Sequence, residues 1–162
     1  IYRNVLLGAE INKALTPEIK QRASELLEQY GLKHFARSKP SELSGGMRQR
    51  AALIRTLLLD PELLLLDEPF SALDYQTRLT VSDDIGQIIR CSGKTALLVT
   101  HDLSEAVSLS DRVIILSKRP ASIVRIVPIT FALEKDTPLN RRNAPEFKNY
   151  FNEIWKELNR DE

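Results

Sequence analysis

The sequence predicts an α/β protein built on an open parallel sheet. A continuous apolar run at 63–66 and a mainly apolar run at 95–99 have the length and character of strands. Around them, apolar residues recur at helical spacing, as at 75–90. Helices that alternate with apolar strands are typical of a parallel sheet, so we expect both strands to be buried on both faces.

The segment before the first strand is predicted to be helical. Residues 1–15 are mixed in character and predict no definite element. Thr16 is a suitable N-cap for a helix that ends at Gly31, a residue that favours a left-handed helix end. Ser44 is a suitable N-cap for a second helix, which Asp60 and the proline after it bring to an end.

The rest of the chain alternates between helix, strand and loop signals. In chain order we expect a polar turn at 71–74, a helix at 75–90, a helix at about 103–109, a buried strand at 112–116, a more exposed strand at 123–128, a polar linker at 136–145 and an amphipathic helix at 145–159.

Composition excludes some classes of protein. The 162 residues carry a net charge of +1, which gives no electrostatic basis for binding nucleic acid. No apolar run approaches the roughly 20 residues that span a bilayer. The single Cys91 allows no internal disulfide and fits a reducing compartment.

Two carboxylates follow the first strand. Asp67 and Glu68 lie at the carboxyl end of the 63–66 run, the edge where ligands bind in open α/β sheets. Adjacent side chains point to opposite sides, so one can hold Mg²⁺ while the other activates a water. The alternative is a strand that leads into a solvated turn.

A second candidate site is the glycine pair at a predicted helix N-terminus. Gly45 and Gly46 let the backbone approach a ligand, and the helix start directs free N–H groups at an anion. The Ser44 hydroxyl adds a donor, which together favours a phosphate. A capped helix after a flexible turn is the alternative.

His101 follows the second apolar run and is predicted to lie at the same sheet edge as the two carboxylates. A neutral imidazole there can bind a phosphate oxygen or position a water. A purely structural histidine is the alternative.

Taken together, these segments resemble the ATPase subunit of ABC transporters. Residues 43–50 resemble the family signature, 63–68 the Walker B segment with its catalytic glutamate, 71–74 the D-loop and 100–102 the switch histidine. Met47 stands where the family often has glutamine. The resemblance covers nearly the whole chain in the correct order.

The resemblance implies a P-loop NTPase-like core with a small helical subdomain. It implies a helical signature subdomain at 1–60, part of the α/β ATPase core at 61–135, and a linker with an amphipathic helix at 136–162. In such a core Asp67 would help to hold Mg²⁺, Glu68 would polarise the attacking water, and His101 would contact the γ-phosphate of ATP.

The family also implies partners. Ser44, Gly45 and Gly46, with Gln49 nearby, would grip the γ-phosphate of an ATP bound mainly to a second subunit of the same kind. Asp74 would line the junction of that homodimer. Transmembrane permease subunits would contact the helical region, which places the protein peripherally on the cytoplasmic face of the membrane. No nucleic acid partner is expected.

Two later segments are similar to the nitrate, sulfonate and taurine importer branch. They are 117–120, which precedes an isoleucine-rich strand, and the closing 147–158 helix that contains Trp155.

One family element has no counterpart in this sequence. The chain contains no G-x-x-x-x-G-K-[ST] phosphate loop. Family topology places the phosphate-loop strand between the strands at 95–99 and 112–116, so the core is expected to be incomplete, with unpaired strand edges. We therefore expect an N-terminally truncated fragment that self-associates or is marginally stable, and that does not hydrolyse ATP alone.

Two other functions stay open at this stage. One is a non-catalytic fragment or interaction module that pairs with a full-length ABC subunit. The other is a soluble ABC-type ATPase that acts on DNA or ribosomes, although such relatives insert long coiled coils or pair two cassettes.

Overall fold

The computed structural model describes residues 1–159. Two compact units divide the chain: the first contains Ile1–Leu65 and Pro69–Leu97, and the second contains Leu66–Glu68 and the chain from Leu98 onward. The elements are α1 (Tyr2–Ile11), α2 (Pro17–Gln29), α3 (Gly45–Leu57), β1 (Leu63–Asp67), α4 (Tyr75–Ser92), β2 (Thr95–Val99), α5 (Leu103–Leu109), β3 (Arg112–Leu116), β4 (Ile123–Pro128), α6 (Pro138–Asn143) and α7 (Pro145–Leu158).

Helices α1, α2 and α3 pack around one apolar core in the first unit. Val5, Leu27 and Ile54 are at most 1% exposed and come from the three different helices. Thr16 caps α2 by accepting a hydrogen bond from the backbone N–H of Ile19 at 3.4 Å. Gly31, just beyond α2, has a φ of +73°, which confirms the predicted left-handed helix end.

Helix α1 is an element that the sequence did not predict. It has no side-chain cap and no acidic residue in its first turn, so the usual start signals are missing. Its buried residues Val5, Leu6 and Ala9 show why it forms: their burial against the neighbouring helices stabilises it in place of local capping.

The strands form two separate two-stranded sheets, β1–β2 and β3–β4. The α/β class with a parallel pair is confirmed, since β1 and β2 end side by side where the Glu68 N–H donates to the Val99 carbonyl at 2.9 Å. Strands β3 and β4, however, are antiparallel, with Val113 opposite Val127. Both belong to a hairpin, in which a short connection favours antiparallel pairing.

The prediction of strands buried on both faces is wrong. In β1, Leu64 is 1% exposed but Leu65 is 70% exposed. In β2, Leu97 and Val99 are 48% and 54% exposed. Within residues 1–159, no layer covers those side chains, so the apolar runs of a parallel sheet are present without the burial that usually accompanies them.

The predicted linker at 136–145 contains the short helix α6. Thr137 caps it by accepting from the Asn140 N–H at 3.2 Å. Arg141 on this helix is 2% exposed and donates to the Ser110 carbonyl at 2.7 Å. A buried arginine that binds the end of α5 explains why this polar segment is ordered as a helix.

The second unit has its own apolar core, formed by α5, the β3–β4 hairpin and α7. Its most buried members are Val107, Ile115 and Ile154. The unit therefore contains the carboxyl ends of β1 and β2 and an apolar core of its own.

Candidate functional site

The end of β1 carries both predicted carboxylates. Asp67 is the last residue of the strand and is exposed. Glu68 has a φ of +45°, in the left-handed region that non-glycine residues rarely adopt. Such strain costs of the order of 1–3 kcal/mol and is concentrated at functional sites, so it directs attention to Glu68.

Glu68 and His101 meet through two hydrogen bonds to one carboxylate oxygen. Oε1 of Glu68 lies 2.6 Å from Nδ1 of His101. The same oxygen accepts the backbone N–H of His101 at 3.1 Å. The Glu68 side chain is 34% exposed and that of His101 is 77% exposed, so the pair is open to solvent on the imidazole side.

This contact raises the pKa of His101 above its ordinary value of 6.5. The main cause is the hydrogen bond from the imidazole to the Glu68 carboxylate, and the negative charges of Glu68, Asp102 and Glu105 act in the same direction. His101 therefore stays protonated, and paired with Glu68, up to a higher pH than a free imidazole stays protonated.

The loop that carries His101 is held by its neighbours. The Thr100 hydroxyl accepts the Asp102 N–H at 3.0 Å and donates to Oε2 of Glu105 at 2.7 Å. Asp102 caps α5 by accepting the N–H groups of Ser104 and Glu105 at 2.8 and 3.2 Å. His101 thus lies between two residues whose side chains both bind backbone groups.

The signature-like segment lies in the first unit. Ser44 is the N-cap of α3, as predicted, and accepts the Met47 N–H at 3.3 Å. A Cβ on Gly46 would lie 2.6 Å from Cγ2 of Val81, and one on Gly45 would lie 2.9 Å from Cδ2 of Leu73. The close approach of α3 to α4 therefore requires a glycine at 46, whereas a Cβ at 45 would displace only the terminal methyl of Leu73.

Asp74 and Gln49 complete the predicted residues of the first unit. Asp74 caps α4 by accepting the Thr77 N–H at 3.0 Å. Hydrogen bonds from the Thr77 side chain, and next from its backbone N–H, lower the pKa of the Asp74 carboxyl. Because Leu73 is the side chain that faces Gly45, the D-loop-like turn and the start of α3 are neighbours. Gln49 is half-buried on α3.

The predicted site residues thus form two groups. Asp67, Glu68 and His101 belong to the second unit. The members of the first unit are Ser44, Gly45, Gly46, Gln49 and Asp74.

Residues 1–159 contain no group of three or more metal-binding side chains. The exposed Asp67 carboxylate nevertheless fits Mg²⁺, because this ion takes one or two protein carboxylates and completes its shell with phosphates and water.

Glu105 and Arg141 are polar residues that the sequence reasoning missed. Glu105 is 4% exposed and lies against the His101 loop. The sequence signal that could have identified Glu105 is its position three residues after the cap Asp102, in the first turn of α5. Arg141 binds the nearby Asp136, but the partners that tie it to the end of α5, Ser110 and Asp111, lie 31 and 30 residues away and could not be identified from the sequence.

In the part of the chain that the structure describes, no helix combines the length and apolar character needed to cross a bilayer.

Comparison with protein families gives a direct match. Residues 2–71 match the family model described as ABC transporter. A Bacillus subtilis ABC transporter ATP-binding protein is 48% identical over 98% of this chain and 61% of its own length. A nitrate import ATP-binding protein of Synechocystis is 41% identical over 95% of this chain and 59% of its own.

Two further matches agree with these. An aliphatic sulfonates import ATP-binding protein of Bacillus licheniformis is 41% identical over 88% of this chain and 54% of its own length. A solved ABC transporter, described as metal-chelate type and inward-facing, superposes with a TM-score of 0.62 at 26% identity, over 75% of this chain and 51% of that one. The chain thus spans between 54% and 61% of the length of these curated relatives.

Proposed function

This chain belongs to the ABC transporter ATP-binding family, and from that premise we propose that it forms part of the ATP-hydrolysing subunit of an import system for a small solute. The observation that carries the proposal is the contact between Glu68 and His101 at the ends of β1 and β2. At that edge a carboxylate can orient an attacking water and an imidazole can bind a phosphate oxygen, which are two roles that serve phosphoryl transfer to water.

Each of the three predicted site residues in the second unit, Asp67, Glu68 and His101, has a proposed role. Glu68 accepts a hydrogen bond from the attacking water and orients it, and its strained backbone holds the carboxylate beyond the end of β1. His101 donates a hydrogen bond to the γ-phosphate. Asp67 binds Mg²⁺, directly or through water, and this ion neutralises charge on the phosphates when bound.

The Glu68 carboxylate binds both the imidazole and the backbone N–H of His101 in the structure. For Glu68 to orient a water and His101 to reach a phosphate, the imidazole must turn away from Oε1. The 77% exposure of His101 leaves room for that rotation. We therefore infer that the pair is the resting arrangement of these two residues.

In the first unit, the Ser44 hydroxyl and the N–H groups at the start of α3 are proposed to bind the γ-phosphate of an ATP held by a second subunit. Gln49 lies one turn along the same helix, and Asp74 lines the junction of the two subunits. ATP bound between two subunits would draw them together, and permease subunits would receive that movement at the membrane's cytoplasmic face.

The named relatives favour an importer of small anions. Two of them are described as import proteins, one for nitrate and one for aliphatic sulfonates. Because this chain is about 41% identical to each, we propose that it serves the same branch of importers.

Hydrolysis by this chain alone is not expected. Its 162 residues include no G-x-x-x-x-G-K-[ST] segment, whose lysine and N–H groups hold the β- and γ-phosphates. We propose that activity requires a segment of that kind from outside the present chain.

The proposal is tested by Glu68→Gln in the chain combined with a phosphate-loop segment. Phosphate release should fall by roughly 10²-fold or more while MgATP binding stays within a few-fold, because the amide cannot take a proton from water. His34→Gln is the matched control and should leave both unchanged. Loss of binding together with hydrolysis in Glu68→Gln would instead make Glu68 a structural residue.

A second candidate function is an interaction module that pairs with a full-length ABC subunit. The exposed apolar side chains of Leu65 and Val99 favour it, because β1 and β2 form a two-stranded sheet and apolar strands at a sheet edge are templates for another chain. The chain should then form dimers or larger species in light scattering at micromolar concentration. A monodisperse monomer that unfolds cooperatively would count against this candidate.

A further inference from the structure

The position of His101 poses a physical problem. Its side chain is 77% exposed, so apolar packing does not hold it in place. The imidazole and the backbone N–H both bind Glu68, and these bonds require that the loop present them together. Something other than burial must therefore fix the backbone around His101.

The Thr100 hydroxyl closes that loop. Oγ1 accepts the N–H of Asp102 at 3.0 Å, a bond that spans His101. The same hydroxyl donates to Oε2 of Glu105 at 2.7 Å. With its proton committed to Glu105, the Thr100 oxygen presents a lone pair to the Asp102 N–H.

Glu105 is the buried end of this chain of bonds. The residue is 4% exposed, in a helix whose neighbouring buried residues include Val107. Burying a carboxylate costs far more than burying an apolar side chain of similar volume, unless hydrogen bonds to it compensate. A buried carboxylate at this position therefore indicates that the Thr100 hydroxyl requires a hydrogen-bond acceptor there.

We propose that Glu105 is a positioning residue, which acts through the Thr100 hydroxyl to hold the His101 backbone where the imidazole can reach a phosphate. The role of His101 itself rests on the proposed function. Glu105 touches neither the imidazole nor a reacting atom in this scheme. It fixes the direction of the Thr100 O–H bond, and through it the turn at 100–102.

The charges that face His101 agree with this assignment. Glu68, Asp102 and Glu105 each raise the pKa of its imidazole, with Glu68 contributing most. A change at Glu105 should therefore reach His101 by two routes, the geometry of the loop and a small change in the local field.

Three variants of the present chain test the proposal by NMR. Thr100→Val keeps the shape but loses both bonds, Thr100→Ser keeps the hydroxyl, and Glu105→Gln removes the charge. We expect Thr100→Val to speed amide hydrogen exchange of His101 and Asp102 by about 10-fold relative to β3 amides of the same unit, the scale of one lost hydrogen bond. Thr100→Ser should restore slow exchange.

Glu105→Gln is the third variant and provides a test if Thr100→Val fails to fold. Because glutamine keeps an acceptor oxygen but loses the charge, it should speed the same two amides by less than Thr100→Val does and move the His101 pKa towards 6.5, the ordinary value. Unchanged exchange and an unchanged His101 pKa would overturn the proposal. A uniform rise in exchange across the second unit would also overturn it, because that result belongs to lost global stability. No measurement involves ATP, so the proposed function can fail while this inference stands.

Discussion

The two groups of site residues are held in place by different forces. In the first unit, Gly46 lies where Val81 of α4 leaves no space for a Cβ, so shape fixes the start of α3. In the second unit, Glu68 and His101 are partly or largely exposed and are fixed by hydrogen bonds. A close-packed surface has one arrangement, whereas a hydrogen-bonded pair can exchange partners.

This difference suits the proposed roles. A surface that grips a phosphate of ATP bound elsewhere needs a rigid helix start, which capping by Ser44 and packing against Val81 provide. A residue that senses phosphate must release one partner and take another. His101 can do so because its imidazole binds Glu68 on one side and faces solvent on the other.

The largest expected effect is on the polar anchoring of the second unit. Arg141→Met should lower the free energy of unfolding by about 2–3 kcal/mol, because it removes charge-assisted hydrogen bonds of a buried guanidinium to Ser110 and Asp136. Urea unfolding measures the change. Arg141→Lys should recover only part of the loss, since lysine lacks the planar fork. Full recovery by lysine would show that charge alone matters there.

The next prediction concerns packing in the first unit. Gly46→Ala should destabilise the chain by roughly 1–3 kcal/mol, because its Cβ would lie 2.6 Å from Val81. The double variant with Val81→Ala should regain part of that loss in the same urea experiment. If Gly46→Ala stabilises the chain, as helix propensity alone would predict, the packing account of this glycine is wrong.

A smaller effect is expected at the cap of α3. Ser44→Ala should cost about 1 kcal/mol, since the Met47 N–H loses its acceptor. Ser44→Asp keeps an acceptor at the same place and should unfold at nearly the wild-type urea concentration. Equal losses in both variants would mean that the hydroxyl serves a role other than capping.

The smallest expected effect is the pH dependence of the Glu68–His101 pair. Because the folded-state pKa of His101 is raised above 6.5, its contribution to stability is fully present below pH 6.5. That contribution is lost as the pH rises through the raised pKa. The stability difference between the wild type and His101→Gln, measured by thermal melts across this range, should shrink with rising pH. A difference that grows with pH would contradict the pairing.

Local patterns predicted most elements because their causes are local. The caps Thr16 and Ser44 and the left-handed Gly31 are visible in the sequence and appear in the structure. Helix α1 was not predicted, because residues distant in the sequence stabilise it. The exposure of Leu65 was not predicted either, because an apolar run does not reveal whether another layer covers it.

In the candidate site too, features with local causes were predicted and those that depend on the folded loop were not. Motif positions indicated Glu68 and His101, and their 2.6 Å contact fits the expectation that they lie at one sheet edge. Glu105 was missed because its importance depends on the Thr100 hydroxyl, which becomes visible only when the loop is folded. The proposed roles of these residues remain predictions.

The most direct test of the account is a calorimetric titration with MgATP of this chain, alone and combined with a segment that carries a G-x-x-x-x-G-K-[ST] sequence. We expect no measurable binding by the chain alone and clear binding by the combination, because the phosphate cradle and the residues around Glu68 would then be joined. Tight binding by this chain alone would contradict the account and would require a different nucleotide site.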